Sequence, residues 1–305
     1  MPLFLFAGQS NMQGNIDPAL FDQIVKILIS SESEPVKKKN IEAALNHWYL
    51  TYSDGYAKYA YDPQVSTLEA NAVVGLHKNG IIDANFPNPP KNNTAYCTDS
   101  TSAATPVATN CGNTFGPELI FSREYAHKTT SPFTVVKVVE GGTTLAVDWI
   151  SPSASNGHPG PMYKQLAARI ASLKSNPKSI HADCATGTCA FKAFVWFQGE
   201  NDSMDENYAN AYANNLKHFI QDVRTLLGDP NFPVVIVQIG FWPTTLAYGS
   251  TVIQAQADFV KNTPHTTLVT TMDLSHYFHF DPAAQMIIGK RVEAAVETVA
   301  PTLKP

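Results

Sequence analysis

Short apolar runs alternate with stretches of helical spacing along most of this chain. The first run, Leu3-Phe4-Leu5-Phe6-Ala7, reads as a short buried β-strand. Helical spacing follows from Ala19 to Ile29, at Leu20, Ile24 and Leu28, and a second helix is predicted from Val36 to Leu50. From Gly116 the alternation becomes regular. Pro117 to His127 reads as a helix with proline in its first turn. Phe133 to Val139 is a β-branched strand run, and Met162, Leu166, Ile170 and Leu173 mark one helix face. Phe191 to Phe197 is the next strand. Ser203-Met204-Asp205-Glu206 resembles a capping box opening a long helix through Tyr208, Tyr212, Phe219 and Val223. Gly228 and Pro230 close that helix. Phe232 to Ile239 is a strand, Thr251 to Lys261 a helix, and Thr267 to Met272 the last strand. Asp281-Pro282 supplies a cap and first-turn proline for a terminal helix that stops before Pro301. Strands alternating with helices in this way imply one parallel sheet covered on both faces.

The region from about Tyr52 to Cys111 breaks the rhythm. It carries Pro63, Pro87, Pro89 and Pro90, many Asn and Thr, and follows or includes Trp48, Tyr49, Tyr52, Tyr56, Tyr59 and Tyr61. We read residues 1–305 as a single catalytic domain with a long insertion at about 30–112. Long loops on a rigid α/β scaffold commonly carry specificity. The tyrosines could line a sugar-binding wall, but packing of the insertion onto the core is the favoured reading for most of them.

Composition narrows the partners. Hydrophobic residues make up 44% of the 305 positions and charged residues 15%, enough for a sizeable core. The net charge of -5 and the lack of a basic stripe argue against a nucleic-acid partner. No apolar run reaches the ~18 residues of a membrane span. The first residues lack the basic region of a signal peptide. Cys97 and Cys111 flank a polar segment, and Cys184 and Cys189 bracket four residues, so both pairs read as disulfide staples of loops. The expected location is therefore secreted or periplasmic, with any signal removed. Neither cysteine pair has zinc-ligand spacing, and no metal is expected. Asn92-Asn93-Thr94 and Asn201-Asp202-Ser203 match the weak glycosylation pattern.

Polar residues gather where the strands end. Gln9-Ser10-Asn11 follows the first strand, Gly141-Gly142-Thr143-Thr144 the second, and Gln198-Gly199-Glu200-Asn201-Asp202 the third. Asp273, His276 and His279 lie between the last strand and the terminal helix. In a parallel sheet all of these share the edge where such folds bind ligands. A serine hydroxyl needs a base to accept its proton, and His279 or His276 has that chemistry. The backbone N–H groups of Ser10 and Gly142 and the Gln198 side-chain amide are candidate donors to an oxyanion.

Gly8-Gln9-Ser10-Asn11-Met12, Gly141-Gly142-Thr143, Trp196-x-Gln198-Gly199-Glu200-x-Asp202 and His279-Phe280-Asp281 with Gly289-x-Arg291 together resemble the SGNH-hydrolase superfamily. The nearest branch is that of sialate O-acetylesterase-like and carbohydrate esterase family six acetylesterases. Gly116-Pro117-Glu118-Leu119 also resembles a segment of that branch. The resemblance implies a flavodoxin-like three-layer α/β/α sandwich, to which the alternation adds a five-stranded parallel sheet; the insertion after the first strand–helix unit, at about 30–112, lies outside the resemblance. It implies cofactor-free, metal-free removal of O-acetyl groups from a carbohydrate. It also implies Ser10 as nucleophile, Gly142 and Gln198 as oxyanion donors and His279 as base.

One position departs from the pattern. The superfamily commonly has Asp three residues before the base, where this chain has His276. An alternative register reads Asp273-Leu274-Ser275-His276 as the Asp-x-x-His motif. His279 is favoured by the Phe-Asp after it, by Pro282, and by the spacing to Gly289-x-Arg291. Its acid is then Glu200 first, Asp273 second, or no carboxylate at all. Asp202 reads as part of a solvated acidic loop. Trp149 and Trp242 are core or pocket wall, and the remaining histidines have no assigned role. Two other readings stay open: a carbohydrate-binding protein on a degenerate hydrolase scaffold, and a short-chain esterase with a non-carbohydrate substrate.

Overall fold

A computed structural model describes residues 2–14, 116–126, 128, 133–175, 189–274, 279–280 and 282–301. The two early helices, the insertion, His276, Asp281, Cys97, Cys111 and Cys184 lie outside the described residues. The strands are β1 (Pro2–Gly8), β2 (Thr134–Val139), β3 (Ala190–Phe197), β4 (Val234–Val237) and β5 (Thr266–Val269). The helices are α1 (Ser10–Gln13), α2 (Glu118–Ala126), α3 (Pro161–Ser175), α4 (Glu206–Leu227), α5 (Gly249–Asn262) and α6 (Pro282–Val299). The five strands form one sheet in the order β2-β1-β3-β4-β5. Every pairing is parallel. This is the expected α/β architecture.

Alternation along the strands explains the layers. Phe4 and Phe6 of β1 point to one face, where their rings meet Phe121 of α2, each with centroids 5.0 Å apart. Phe194 and Trp196 of β3 pack on Phe219 of α4, and Trp149 stands edge-on to Trp196 at 5.1 Å. Contacts sort the helices to match: α2 packs on α6, whereas α3 and α5 both pack on α4. The central strands are buried on both faces and carry almost unbroken apolar runs, as parallel sheets require.

Two of the boundaries that differ from the sequence reading have a visible cause. The cap of α4 is Asp205, whose side chain accepts from Asn207 N and Tyr208 N. Ser203 sits one turn earlier in a 3-10 segment (Asp202–Met204) and donates its hydroxyl to Gly199 O. The carboxylate wins the cap because it reaches two orphan N–H groups at once. The last strand ends at Val269 rather than Met272. Thr271 turns its hydroxyl onto Gln238 O, and Leu274 N closes a turn on Thr271 O.

The strand order reverses direction of growth between β1 and β3. A crevice opens at the carboxyl ends of strands flanking such a switch point. Ser10 follows β1 and Gln198 follows β3, so the fold places both at that crevice.

Candidate active site

Ser10 opens the single turn of α1 directly after β1, and it is 4% exposed. Its Oγ is buried with no hydrogen-bond partner among the described residues. A buried hydroxyl left unpaired costs free energy, and such a group asks for a functional reason. Gly141 lies against it: a Cβ built on Gly141 would stand 3.6 Å from Ser10 Cβ.

The turn after β2 supplies the next groups. Gly141 N–H donates to Gln13 Oε1 at 3.1 Å. Gly142 has φ +74°, a left-handed conformation that suits glycine, and it is exposed. Thr143 anchors the turn: its hydroxyl donates to Glu140 O at 2.8 Å and accepts from Trp149 Nε1 at 2.8 Å. Trp149 is thereby a core residue, fully buried against Trp196.

Asp202 corrects the expectation of a solvated loop. It is 0% exposed. Its carboxylate accepts from Leu145 N at 2.8 Å, Ala146 N at 3.0 Å and Gln198 Nε2 at 2.6 Å. One side chain thus ties the loop after β2 to the loop after β3. Burial pushes its pKa up to about 6, against the pull of these donors. Gln198 is equally enclosed. Its Nε2 also faces Thr143 O at 3.0 Å and the Gln9 side chain at 3.0 Å. Its backbone carbonyl accepts from Tyr212 Oη and Gln256 Nε2. The Gln198 amide therefore holds the loop together, and an oxyanion would have to displace one of these acceptors. The Asn201 acceptor pattern sits inside this network, with Ser203 buried and the Gln9 amide against Asn201.

Glu200 is 0% exposed and accepts from Asn11 Nδ2 at 2.5 Å. Desolvation raises its pKa to about 7, and the Asn11 bond opposes the rise. Asn11 Oδ1 in turn accepts from Phe280 N at 3.0 Å, and Asn11 O accepts from Gln285 Nε2 at 2.9 Å. Asn11 therefore joins three segments: the Ser10 turn, the loop after β3, and the residues around His279. His279 is half-buried, and burial lowers its pKa below the ordinary histidine value. Trp242 packs on Phe280 at 5.1 Å, which makes it a wall beside this segment.

Asp273 is placed differently. Both its oxygens are held by Arg291, at 2.7 Å to Nη1 and 2.5 Å to Nη2, and its side chain is 61% exposed. Arg291 also donates to Thr270 O, so it fastens the end of β5 to α6. Its hydrogen bonds hold the Asp273 carboxyl down at about 2. Gly289 explains the other half of that motif. A Cβ there would stand 2.7 Å from Ile120 Cβ and from Pro117 O, so the glycine lets α6 approach α2.

Comparison with known proteins now bears on these residues. The model of the carbohydrate esterase, sialic acid-specific acetylesterase family matches residues 90–298. The chain belongs to this family. The loops after β2 and β3, His279 and the Gly289-x-Arg291 motif all lie within the matched span. Ser10 lies before that span, so its placement rests on the fold. A stretch of 48 residues is 40% identical to the probable carbohydrate esterase At4g34215 of Arabidopsis thaliana, covering 16% of this chain and 18% of that protein. The X-ray structure of that Arabidopsis protein superposes with a TM-score of 0.59 at 18% identity, over 97% of this chain and 98% of the other. XAC1771, a carbohydrate acetylesterase of Xanthomonas citri, gives 0.55 at 19% identity, over 98% of this chain and 56% of that one. At these identities the likeness concerns the fold.

Sequence reasoning missed Lys137, Glu118, Gln13 and Gln285 as parts of the site's frame. A signal existed for the first: Lys137 is a lone charge inside Thr134-Val135-Val136-Lys137-Val138-Val139.

Proposed function

We propose that this protein is a serine esterase that removes O-acetyl groups from a carbohydrate through an acyl-enzyme intermediate. The observation that carries the reading is the buried Ser10 Oγ at the β1/β3 crevice, without a partner among the described residues and with Gly141 against it. Ser10 attacks the ester carbonyl, and His279 takes its proton and returns it to the leaving sugar hydroxyl. The N–H groups of Ser10 and Gly142 face the developing oxyanion, and Gln198 joins them by exchanging an internal acceptor for it. Losing one such donor costs about 3 kcal/mol of barrier. Glu200, through Asn11, holds the segment that carries His279; Asp273, committed to Arg291, is the weaker candidate for the triad acid. The substrate is an acetylated oligo- or polysaccharide, and the protein is secreted or periplasmic. The pairing of Cys184 with Cys189, and of Cys97 with Cys111, belongs to the same proposal. Cys189 does not carry a free thiol.

The test is acetate release from a panel of acetylated glycans and from a small acetyl ester, with wild type beside Ser10→Ala. Release from glycans by wild type alone supports the reading. Release from the small ester but from no glycan points to a non-carbohydrate substrate. Sugar binding without any release points to a binding protein on a hydrolase scaffold.

A further inference from the structure

Lys137 and Glu118 form an ion pair that the ester chemistry does not use. Their side chains are 1% and 0% exposed, and Lys137 Nζ stands 2.6 Å from Glu118 Oε1. Burial pushes the carboxyl up and the ammonium down, while their attraction opposes both shifts. Taking two charges out of water is seldom repaid by their attraction alone. A pair set among valines therefore calls for a reason beyond stability.

The other bonds of the pair suggest one. Lys137 Nζ also donates to Gln13 O at 2.9 Å. Glu118 Oε1 accepts from Gly116 N at 3.2 Å. Gln13 is the last residue of the turn that Ser10 opens. Its side-chain Oε1 accepts from Gly141 N, and Gly141 lies against Ser10. One residue thus touches the buried charge through its backbone and the oxyanion loop through its side chain.

We infer that Glu118, Lys137 and Gln13 form a buried brace that sets the spacing between the Ser10 turn and the Gly141-Gly142 loop. They are positioning residues. Lys137, oriented by Glu118, fixes the Gln13 carbonyl, and Gln13 fixes the Gly141 amide. Gly142 then presents its N–H at a set distance from Ser10. The inference rests on the esterase reading of Ser10 and Gly142.

Two variants test it. Gln13→Ala removes the acceptor for Gly141 N and leaves the buried pair in place. The double variant Lys137→Met with Glu118→Leu removes both charges together, a replacement that buried pairs often tolerate. Steady-state kinetics on a small acetyl ester, thermal denaturation and amide hydrogen exchange are read on each. The brace predicts a kcat lower by about ten- to a hundredfold with KM nearly unchanged, as misplacement of reacting groups does. It also predicts faster exchange at Gly141 in both variants, at a folded fraction equal to wild type. Wild-type kcat and wild-type exchange at Gly141 in Gln13→Ala would overturn it, even if the double variant fails to fold. A kcat that falls only as far as the folded fraction falls would overturn it too. If wild type hydrolyses no ester, the esterase reading fails, and the exchange rates alone decide the brace.

Discussion

At the β1/β3 end of the site, Asp202, Gln198, Glu200 and Asn11 are buried, and each bonds a segment far from it in sequence. At the β5–α6 end, the charged pair Asp273–Arg291 is exposed, and His279 is half-buried. The first end is built like a core, with polar groups whose loss leaves unsatisfied partners. The second is built like a surface, where charges are screened and pairs contribute little. Nucleophile and oxyanion donors need fixed geometry before the substrate arrives. A base must move a proton twice and tolerates more freedom.

The largest effect separates chemistry from structure at the rigid end. Ser10→Ala should lower turnover by at least about 10⁴-fold, as removal of a catalytic serine does. It should not lower the melting temperature, because Ser10 Oγ has no partner to lose among the described residues. Acetate release and thermal denaturation of the same sample check both halves. A variant that keeps turnover ends the nucleophile assignment.

Asp202→Ala comes next and tests the core-like character directly. It strips the acceptor from Leu145 N, Ala146 N and the Gln198 amide at once. Such losses in the interior cost about 2–4 kcal/mol, whereas a solvated loop residue costs under ~0.5 kcal/mol. Urea denaturation distinguishes these values. In the folded fraction, kcat should fall because the loop bearing Gly142 and the amide of Gln198 lose a shared anchor.

These two residues also mark how far the chain alone could be read. Strands, helices and their order followed from apolar runs and helical spacing, because burial in a parallel sheet leaves that imprint. Ser10, Gly142, Gln198 and His279 were legible as motifs at strand ends. Asp202 was misread, since an acidic residue beside Glu200 looks solvated until the loop after β2 folds over it. Asn11 bonds Phe280, 269 residues away, and no local pattern reports such a pairing. Lys137 was missed although it stands as a lone charge among valines, and its partner Glu118 lies across the β2–α2 contact and appears only in three dimensions.

Glu200→Gln probes the rigid end through pH. The folded-state pKa of Glu200 is raised to about 7 by burial, from an ordinary 4.5. The native state therefore binds the proton more tightly than the unfolded chain. Stability from this group is fully present below pH ~4.5 and declines as pH rises toward ~7, by up to about 3 kcal/mol. Gln keeps an oxygen for Asn11 Nδ2 and carries no charge. The variant should lose this decline, so that its stability at pH 8 exceeds that of wild type. Denaturation curves at pH 5 and pH 8 measure it. An unchanged pH dependence would mean that Glu200 is less enclosed than its surroundings indicate. Activity adds a second reading: a triad acid loses turnover on this change, whereas a residue that acts by holding Asn11 retains most of it.

The smallest effect belongs to the surface-like end, and it carries a decision out of proportion to its size. Asp273→Asn breaks the two-pronged grip on Arg291. The pair is exposed, so solvent and salt screen it. Its pKa of about 2 places the loss of its contribution well below neutral pH, as the carboxyl protonates. At pH 7 the Asn variant should keep kcat within about threefold of wild type, with a difference that shrinks as salt rises. Were Asp273 the acid that orients His279, the same change would cost on the order of 10⁴-fold through loss of the correct tautomer. Between these outcomes there is no overlap. The kcat/KM profile supplies the partner measurement. Protonated His279 accepts no proton from Ser10, so activity falls as pH drops, and burial sets that fall below the ordinary histidine value. If Asp273 only braces the β5 end, Asp273→Asn leaves the midpoint of that fall where it is. If it orients the imidazole, removing its charge moves the midpoint lower still.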